Sequence, residues 1–312
     1  MIKSVIRQFI LKHSVTRELF FILGKHKVNL RQIDNALVKG DLQLADEKAR
    51  NVIVSLTSYG DRIPDLKYTL YSLVVQSIRP EKIIVNIAFD DETKLNDEIK
   101  AFEKYDVEFF FCKDTRSYKK LLPTVQRFPN ACIVTADDDL YFEKNWLQEL
   151  YETHKKYPDD VCCHLVYKIT HHNGVINTYK SWIHNYRLCS ADRSLFLLGG
   201  AGVLYPPNTF YKDIDKEDLF TKLAPLADDL WFYFMVILNG GTIRQVKNPQ
   251  SNYRLVNPYR EYGIVSGETL TQQNVGENKN DKQLRNILSY YNITEDMFID
   301  YLEGKIDFQA FV

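Results

Sequence analysis

Predicted strands and helices alternate between Asn51 and Ala136, and this alternation limits the possible folds more than any other feature of the chain. Short apolar runs are separated by segments whose apolar residues recur at helical spacing. Such an order predicts an α/β protein with a mostly parallel central sheet, right-handed crossovers and flanking helices. We expect strands at 52–57, 82–89, 107–112 and 131–136, and helices at 64–74, 93–104 and 117–127, with a break at Arg79-Pro80.

The second half of the chain is less regular. The segment 248–283 is rich in Asn, Gly, Gln and Tyr and has few apolar positions. It predicts either a long mobile loop or lid, or irregular surface structure. The other elements expected here are a strand at 161–168, a hairpin at 171–179, a glycine-interrupted apolar run at 195–205, a helix at 228–238 and a strand at 242–246.

Three consecutive aspartates, Asp137, Asp138 and Asp139, follow the fourth predicted strand. Carboxylates that leave a buried strand together repel one another, and the loss of water strengthens the repulsion. A Mg²⁺ or Mn²⁺ ion would relieve it, because such ions bind one or two carboxylates together with substrate phosphates. The cluster therefore predicts a metal site for a phosphorylated substrate. The alternative is an Asp-rich turn that caps a helix beginning near Glu143.

Charge is spread unevenly along the chain. The net charge of −1 gives no reason to expect nucleic acid as a partner. Residues 1–31 nevertheless hold seven Lys or Arg against Glu18 alone, which leaves −7 for the rest of the chain. This basic segment predicts either an interfacial helix on an anionic membrane or a helix packed on the domain. Its apolar residues at helical spacing are Ile2, Val5, Ile6, Phe9 and Ile10.

The cysteines and the chain start favour a cytoplasmic protein. The five cysteines form no C-x-x-C pair, and most of them lie inside apolar runs, as buried reduced thiols do. Basic residues interrupt the first apolar stretch, so it does not resemble a secretory signal. No apolar stretch reaches the length of a membrane span.

Four stretches, taken in order, resemble the GT-A fold of glycosyltransferases, and most closely the family 2-like bacterial enzymes that build capsule or lipopolysaccharide. The resemblance covers roughly residues 50–250 and implies a Rossmann-like catalytic domain. We accordingly divide the chain into a basic helical extension (1–50), a GT-A catalytic domain (51–250), and a mobile loop with C-terminal helices (251–312). The four stretches are 54–59 (VSLTSY), 117–123 (SYKKLLP), 135–139 (TADDD) and 227–231 (ADDLW).

The resemblance implies that the loop after the first strand holds the nucleotide. Thr57, Ser58, Tyr59 and Arg62 occupy this loop. Tyr59 can stack on a base and Arg62 can reach a phosphate, whereas the alternative is an ordinary polar turn. Asp114 is a further candidate for contact with the base or ribose.

A lysine pair and an apolar glycine run are the next candidates. Lys119 and Lys120 are expected near the start of a helix, with one facing a pyrophosphate and the other solvated. The run that contains Gly200, Ala201 and Gly202 resembles the family's stretch beside the donor sugar. Glycine permits close approach to a ligand there, but it equally permits tight packing within a sheet.

The same resemblance assigns roles within the acidic cluster. Asp139 is the expected metal ligand, and Asp137 is expected to contact the ribose, the metal or a metal-bound water. Asp138 could replace either, because a run of three allows a shifted register. The implied cofactor is Mn²⁺ or Mg²⁺.

Asp228 and Asp229 open a very apolar helix, where they could cap the helix or act in catalysis. The resemblance implies a general base at this position in inverting enzymes; we favour Asp228 and keep Asp229 as the alternate. A carboxylate that faces an apolar site has the raised pKa that suits a base near neutral pH. If the enzyme retains the anomeric configuration, this assignment fails. Trp182, Trp231 and Tyr205 are expected to be either sugar platforms or core residues.

These features together predict a metal-dependent glycosyltransferase. The donor is a nucleotide sugar, with UDP favoured, and the acceptor is a hydroxyl of a bacterial surface glycan or lipid-linked precursor. We expect a cytoplasmic enzyme, with residues 1–31 as a peripheral contact at the inner face of the membrane. One alternative is a metal-dependent nucleotidyltransferase, but its glycine-rich phosphate loop is not matched by the single glycine in 58–62. The other is a non-catalytic glycan-binding protein, which would have no use for the acidic cluster.

Overall fold

The computed structural model describes residues 28–40, 42–250, 253–261 and 278–310. Most of the basic segment 1–31 lies outside these ranges, and so does much of the predicted loop at 248–283. The described part of that loop contains a short strand, one helical turn and the start of a longer helix.

The central sheet has seven strands in the order β12-β6-β11-β4-β1-β2-β3. The first four strands along the chain run parallel, as the alternating pattern predicts, and β11 pairs antiparallel with both β4 and β6. Five consecutive residues of β1, 52–56, are buried because both faces of the sheet are covered. The strands are β1 (Lys48–Ser58), β2 (Arg79–Ala88), β3 (Val107–Cys112), β4 (Cys132–Thr135), β5 (Leu140–Tyr141), β6 (Val161–Cys163), β7 (Val166–Lys168), β8 (His171–His172), β9 (Val175–Ile176), β10 (Leu195–Leu197), β11 (Val203–Tyr205), β12 (Ile243–Gln245) and β13 (Arg254–Leu255).

Ten α-helices are present in the described part of the chain, and two expected helices are shorter than their apolar patterns suggest. Pro123 lies at the start of the helix after β3, where its missing N–H is not needed. The preceding residues 116–120 therefore form a separate 3-10 turn. The helices are α1 (Leu30–Lys39), α2 (Leu66–Val74), α3 (Asp97–Lys100), α4 (Leu122–Arg127), α5 (Trp146–Lys156), α6 (Glu217–Leu223), α7 (Asp228–Leu238), α8 (Pro258–Glu261), α9 (Lys279–Tyr290) and α10 (Glu295–Leu302).

The expected break at Arg79-Pro80 is wrong, because β2 begins at Arg79. Pairing of β2 with β3 starts only at Ile83. Pro80 thus lies near the start of the strand, where its missing N–H interrupts no bond to β3.

Two hydrophobic clusters lie on opposite faces of the sheet. Val52 and Val54 of β1 face one cluster and Ile53 faces the other, as side chains alternate along a strand. Helix α7 lies in the second cluster, and its residues 230–238 are all buried. Phe298 of α10 packs against Phe234 of α7 at a ring-centroid distance of 5.6 Å. The C-terminal helices therefore complete the core beside α7.

A short antiparallel pair lies next to the three aspartates. β5 begins directly after Asp139 and pairs with β13. The backbone N–H of Val256 also donates to the Asp139 carbonyl, with an N–O distance of 2.7 Å. The segment after residue 252 thus fixes the backbone at the end of the acidic cluster.

Within the described ranges, no helix combines the length and apolar character needed to cross a membrane.

Replacing Phe298 by Ala tests whether the C-terminal helices belong to the core. The side chain is fully buried, so the change should lower the free energy of unfolding by about 3–5 kcal/mol. Urea unfolding followed by circular dichroism measures this change. Phe89→Ala is the control, because Phe89 is 62% exposed and its loss should alter stability by no more than about 0.5 kcal/mol. Equal effects of the two substitutions would contradict the packing.

Candidate functional site

The three aspartates lie at the carboxyl edge of the sheet, where β1 and β4 end side by side. Ser58, the last residue of β1, donates a hydrogen bond to Oδ2 of Asp138 with an O–O distance of 2.5 Å. The hydroxyl of Thr69 in α2 lies 2.7 Å from the Asp138 carbonyl and 2.9 Å from that of Leu140. This role of Thr69 could not be predicted, because no motif in the sequence links Thr69 to the acidic cluster. Neighbouring elements thus fix both the side chain and the backbone of the cluster.

Arg62 joins the loop after β1 to the acidic cluster. Its Nε donates to Oδ1 of Asp138 at 3.1 Å, and its Nη2 donates to Asp139. Burial raises the pKa of Asp138, while Arg62 and Ser58 oppose this increase. The ring of Tyr59 is half exposed, and its centroid lies 5.7 Å from the Arg62 guanidinium carbon. Thr57 donates from Oγ1 to the Asn86 carbonyl at 2.7 Å. The predicted loop and the predicted acidic cluster therefore meet.

Lys120 connects the acidic cluster to helix α7. Its ammonium donates to Oδ1 of Asp137 at 2.6 Å and lies 3.2 Å from Oδ2 of Asp228. Burial alone would lower the pKa of Lys120, but the neighbouring carboxylates raise it well above its ordinary value. The lysine therefore stays charged beneath the site and holds two carboxylates that are far apart in sequence.

The expectation that one lysine of the pair is solvated is wrong. Lys119 is 2% exposed and Lys120 is 6% exposed. Lys119 donates to Asp114, and the backbone N–H of Arg116 donates to the same carboxylate. Burial would raise the pKa of Asp114, but these hydrogen bonds lower it. Both lysines lie in the 3-10 turn 116–120 rather than at the start of α4, and the ammonium group of each one pairs with a different carboxylate, Lys119 with Asp114 and Lys120 with Asp137.

A glycine turn at 199–201 lies between Asp137 and Asp229. The Asp137 N–H donates to the Gly200 carbonyl, and the Gly199 N–H donates to Oδ1 of Asp229, both at 3.0 Å. A Cβ added at Gly200 would lie 1.8 Å from a carboxylate oxygen of Asp137, and one at Gly199 would lie 2.7 Å from Asp229. Glycine is therefore required here because two carboxylates approach the turn.

The rest of this run is fixed by packing. A Cβ added at Gly202 would lie 2.3 Å from the Trp146 indole, and the φ of Gly202 is +111°. The carbonyl of Ala201 accepts hydrogen bonds from Trp146 Nε1 at 3.0 Å and Tyr253 Oη at 2.7 Å. Gly202 and Ala201 thus anchor the turn to the protein.

Asp228 and Asp229 lie in the first turn of α7, but neither side chain caps the helix. The side chain of Asp228 is bound to Lys120, and that of Asp229 accepts the Gly199 N–H. Burial, followed by the negative charge of Asp228, raises the pKa of Asp229 from 3.8 to about 7. Asp229 is therefore a carboxylate that exchanges a proton near neutral pH.

The expectation that the two tryptophans serve as sugar platforms is wrong. Trp182 is 3% exposed and Trp231 is fully buried, so neither ring can cover a ligand. Their indole N–H groups donate to the carbonyls of Asn177 and Ile214, at 2.9 and 3.0 Å. Tyr205 is buried as well. Trp182, Trp231 and Tyr205 are core residues, as the alternative interpretation predicts.

The carboxylates fit a divalent cation only in company with a phosphorylated ligand. Among the residues that the structure describes, no three His, Cys, Asp or Glu side chains are grouped to hold a metal. Asp137 and Asp139 offer hard oxygen atoms, but Lys120 and Arg62 already bind them. Mg²⁺ commonly takes one or two carboxylates plus phosphate oxygens. In such a coordination shell, Asp137 and Asp139 would supply the carboxylate oxygens and the ligand would supply the phosphate oxygens.

Comparison with known proteins gives one family match. The model described as glycosyl transferase family 2 matches residues 53–220, more than half of the chain. The matched region contains the loop after β1, the lysine pair, the acidic cluster and the glycine turn. No curated protein matches the chain.

Several solved structures are similar at low sequence identity. S. aureus TarS (1–349) is 13% identical over 81% of this chain and 72% of that chain, with a TM-score of 0.46. The same protein in complex with UDP covers 81% and 70%, with 13% identity and a TM-score of 0.47. The 4-diphosphocytidyl-2C-methyl-D-erythritol synthase of Anaerococcus prevotii is 16% identical over 74% of this chain and 97% of that chain, with a TM-score of 0.45.

Carbon-13 NMR of labelled aspartate should find the Asp229 carboxyl titrating near pH 7. Asp228→Asn removes a neighbouring negative charge and should lower this pKa, whereas Lys120→Gln removes a positive charge and should raise it. Because the folded state holds this proton more tightly than the unfolded chain, its contribution to stability declines as the pH rises from about 4 to 7. A midpoint near pH 4 in the native protein would contradict the burial of this carboxyl.

Proposed function

The chain belongs to glycosyl transferase family 2, and from this premise we propose that it moves a sugar from a nucleotide-sugar donor to a hydroxyl of a glycan or glycolipid. It is a glycosyltransferase with a GT-A-like fold. The observation that carries the proposal is the glycine turn, which places the proton-exchanging Asp229 next to Asp137. The carboxyl edge of the sheet thus combines a basic group with a site for a phosphorylated donor.

The donor site lies at the carboxyl ends of β1 and β4. We propose UDP as the nucleotide, with its base against the exposed ring of Tyr59 and its diphosphate near Arg62. Thr57, Ser58 and Asp114 line the same edge, and the Gly200–Gly202 run approaches the donor sugar. Lys119 and Lys120 supply positive charge below the diphosphate. The placement is supported by the meeting of the loop and the acidic cluster around Arg62.

Asp139 and Asp137 are the residues proposed to hold Mn²⁺ or Mg²⁺ together with the diphosphate. The ion would offset the charge that develops on the leaving nucleotide. Asp138 has a different role, because Ser58 and Arg62 bind both of its oxygens. It orients Arg62 rather than a cation. The contacts of Asp138 support this division of roles among the three aspartates.

Asp229 is the better candidate for the general base, although the sequence favours Asp228. The ammonium of Lys120 lies 3.2 Å from Oδ2 of Asp228, so the side chain of Asp228 is held in an ion pair. Asp229 has a pKa of about 7, and Oδ2 receives no hydrogen bond from the described residues. The acceptor hydroxyl passes its proton to Oδ2 while its oxygen attacks the anomeric carbon. The bond from that carbon to the diphosphate breaks, and its electron pair leaves with the nucleotide.

A single displacement of this kind inverts the anomeric configuration. We further propose a bacterial surface glycan or its lipid-linked precursor as the acceptor, and the cytoplasmic face of the membrane as the location. The basic pattern of residues 1–31 supports the membrane contact.

NMR of the product should show the anomeric configuration opposite to that of the donor. Retention would exclude Asp229 as the base.

A thermal-shift series with UDP-sugars tests the donor and metal sites. Binding to the folded state at a hundredfold excess over Kd stabilises it by about 2.7 kcal/mol, so Tm should rise with UDP and rise further with Mn²⁺. Asp139→Asn should remove most of the Mn²⁺-dependent part. Asp90→Asn is the matched control, because this aspartate is exposed and makes no contact with the cluster in the described structure. No Mn²⁺-dependent shift with any nucleotide sugar would contradict the metal-dependent function.

A further inference from the structure

A row of aromatic rings crosses the small sheet formed by β7 and β10. Tyr167 of β7 lies directly opposite Phe196 of β10. On its other side, the segment around Ile183 pairs with Lys168 through two backbone hydrogen bonds of 2.9 and 3.0 Å. This register brings His184 opposite Tyr167, and the two rings stack with centroids 4.1 Å apart and planes at 7°. The row therefore runs Phe196, Tyr167, His184 on one face.

Exposure increases along this row. Phe196 is fully buried and packs on Tyr233 of α7, at a ring distance of 5.2 Å. Tyr167 is partly buried, and His184 is exposed. Because Tyr167 covers one face of the imidazole, the exposed surface of His184 is its other face and its edges. The inner end of the row is thus fixed in the core, and the ring at its outer end is exposed.

The polar atoms of the two outer rings are available to a ligand. The His184 Nε2 lies 3.4 Å from the Tyr179 carbonyl, which leaves Nδ1 without a partner among the described residues. The Tyr167 hydroxyl likewise makes no hydrogen bond within the described ranges. Flat apolar faces flanked by hydrogen-bonding atoms suit a sugar ring, which has C–H faces and hydroxyl edges.

The row lies beside Asp229. The Leu198 N–H donates to the Leu165 carbonyl at 3.3 Å, so β7 adjoins the turn whose Gly199 N–H binds Asp229. Burial and the charge of Asp229 both raise the pKa of Tyr167. A ligand on the row would therefore lie close to the proposed base.

We propose that Tyr167 and His184 form the acceptor subsite, which stacks against the pyranose ring that carries the attacking hydroxyl. This inference rests on the proposed function, since it needs Asp229 as the base. It specifies that the attacking hydroxyl belongs to a sugar ring and not to a lipid or a protein. The sequence alone does not indicate this role for either residue, because it depends on the backbone pairing of Lys168 with Ile183, which no sequence motif predicts.

Saturation-transfer NMR with methyl glycosides tests this subsite. The probes are the α and β methyl glycosides of glucose, galactose and N-acetylglucosamine, each with saturating UDP. The native protein should bind at least one of them, and His184→Ala and Tyr167→Ala should each weaken that binding about three- to tenfold. His184→Phe keeps a flat ring and should retain stacking. Tyr290→Ala is the control, because Tyr290 is another exposed aromatic residue, 44% exposed, and it packs on Tyr291.

UDP binding separates this inference from the proposed function. Calorimetry should show UDP affinities within about twofold of native in both alanine variants, which also shows that they are folded. The subsite is overturned if both variants bind the glycosides as well as native, or if no glycoside binds native protein that binds UDP. Failure of native protein to bind UDP would instead contradict the proposed function, and the glycoside series without UDP would then decide on the subsite.

Discussion

The buried charge of Lys120 is the interaction on which the rest of the site depends. A charged lysine away from water is unfavourable unless carboxylates surround it, and removing one partner of such a pair costs about 3–5 kcal/mol. Lys120 has Asp137 on one side and Asp228 on the other. Asp137 follows β4, whereas Asp228 begins a helix that packs with the C-terminal helices. The ammonium therefore joins the segment that follows β4 to the first turn of helix α7.

The glycine turn makes the same connection through the backbone. The backbone N–H of Asp137 binds the Gly200 carbonyl, and the side chain of Asp229 accepts the Gly199 N–H, so one turn holds both residues. A side chain at Gly200 would occupy the place of the Asp137 carboxylate. Several carboxylates are therefore held close together in two ways. The positive charge of Lys120 offsets their repulsion, and the absence of a Cβ at Gly200 leaves room for the Asp137 carboxylate.

Much of the fold could be predicted from the sequence because each strand and helix is specified by a pattern within a short segment. Strands β1, β2 and β4 are mostly buried and have short apolar runs in their sequence, and helix 228–238 has the bounds that its apolar body indicates. The acidic cluster was also evident. Contacts between distant residues could not be predicted: the link from Lys120 to Asp228, the burial of both lysines, and the difference between Asp228 and Asp229. The sequence did not decide whether the two tryptophans are sugar platforms or core residues, because burial depends on which distant residues pack around each ring.

The pH dependence of sugar transfer tests the role of Asp229 most directly. A base with a pKa near 7 must lose its proton before it can accept one, so the single-turnover rate should rise about tenfold per pH unit below pH 7 and level off above it. Asp229→Asn should remove most of the activity and the pH dependence while UDP binding persists. Asp228→Asn, the matched variant, should keep substantial activity and shift the midpoint to lower pH. A native rate that is flat from pH 5 to 9, or full activity in Asp229→Asn, would show that another group removes the acceptor proton.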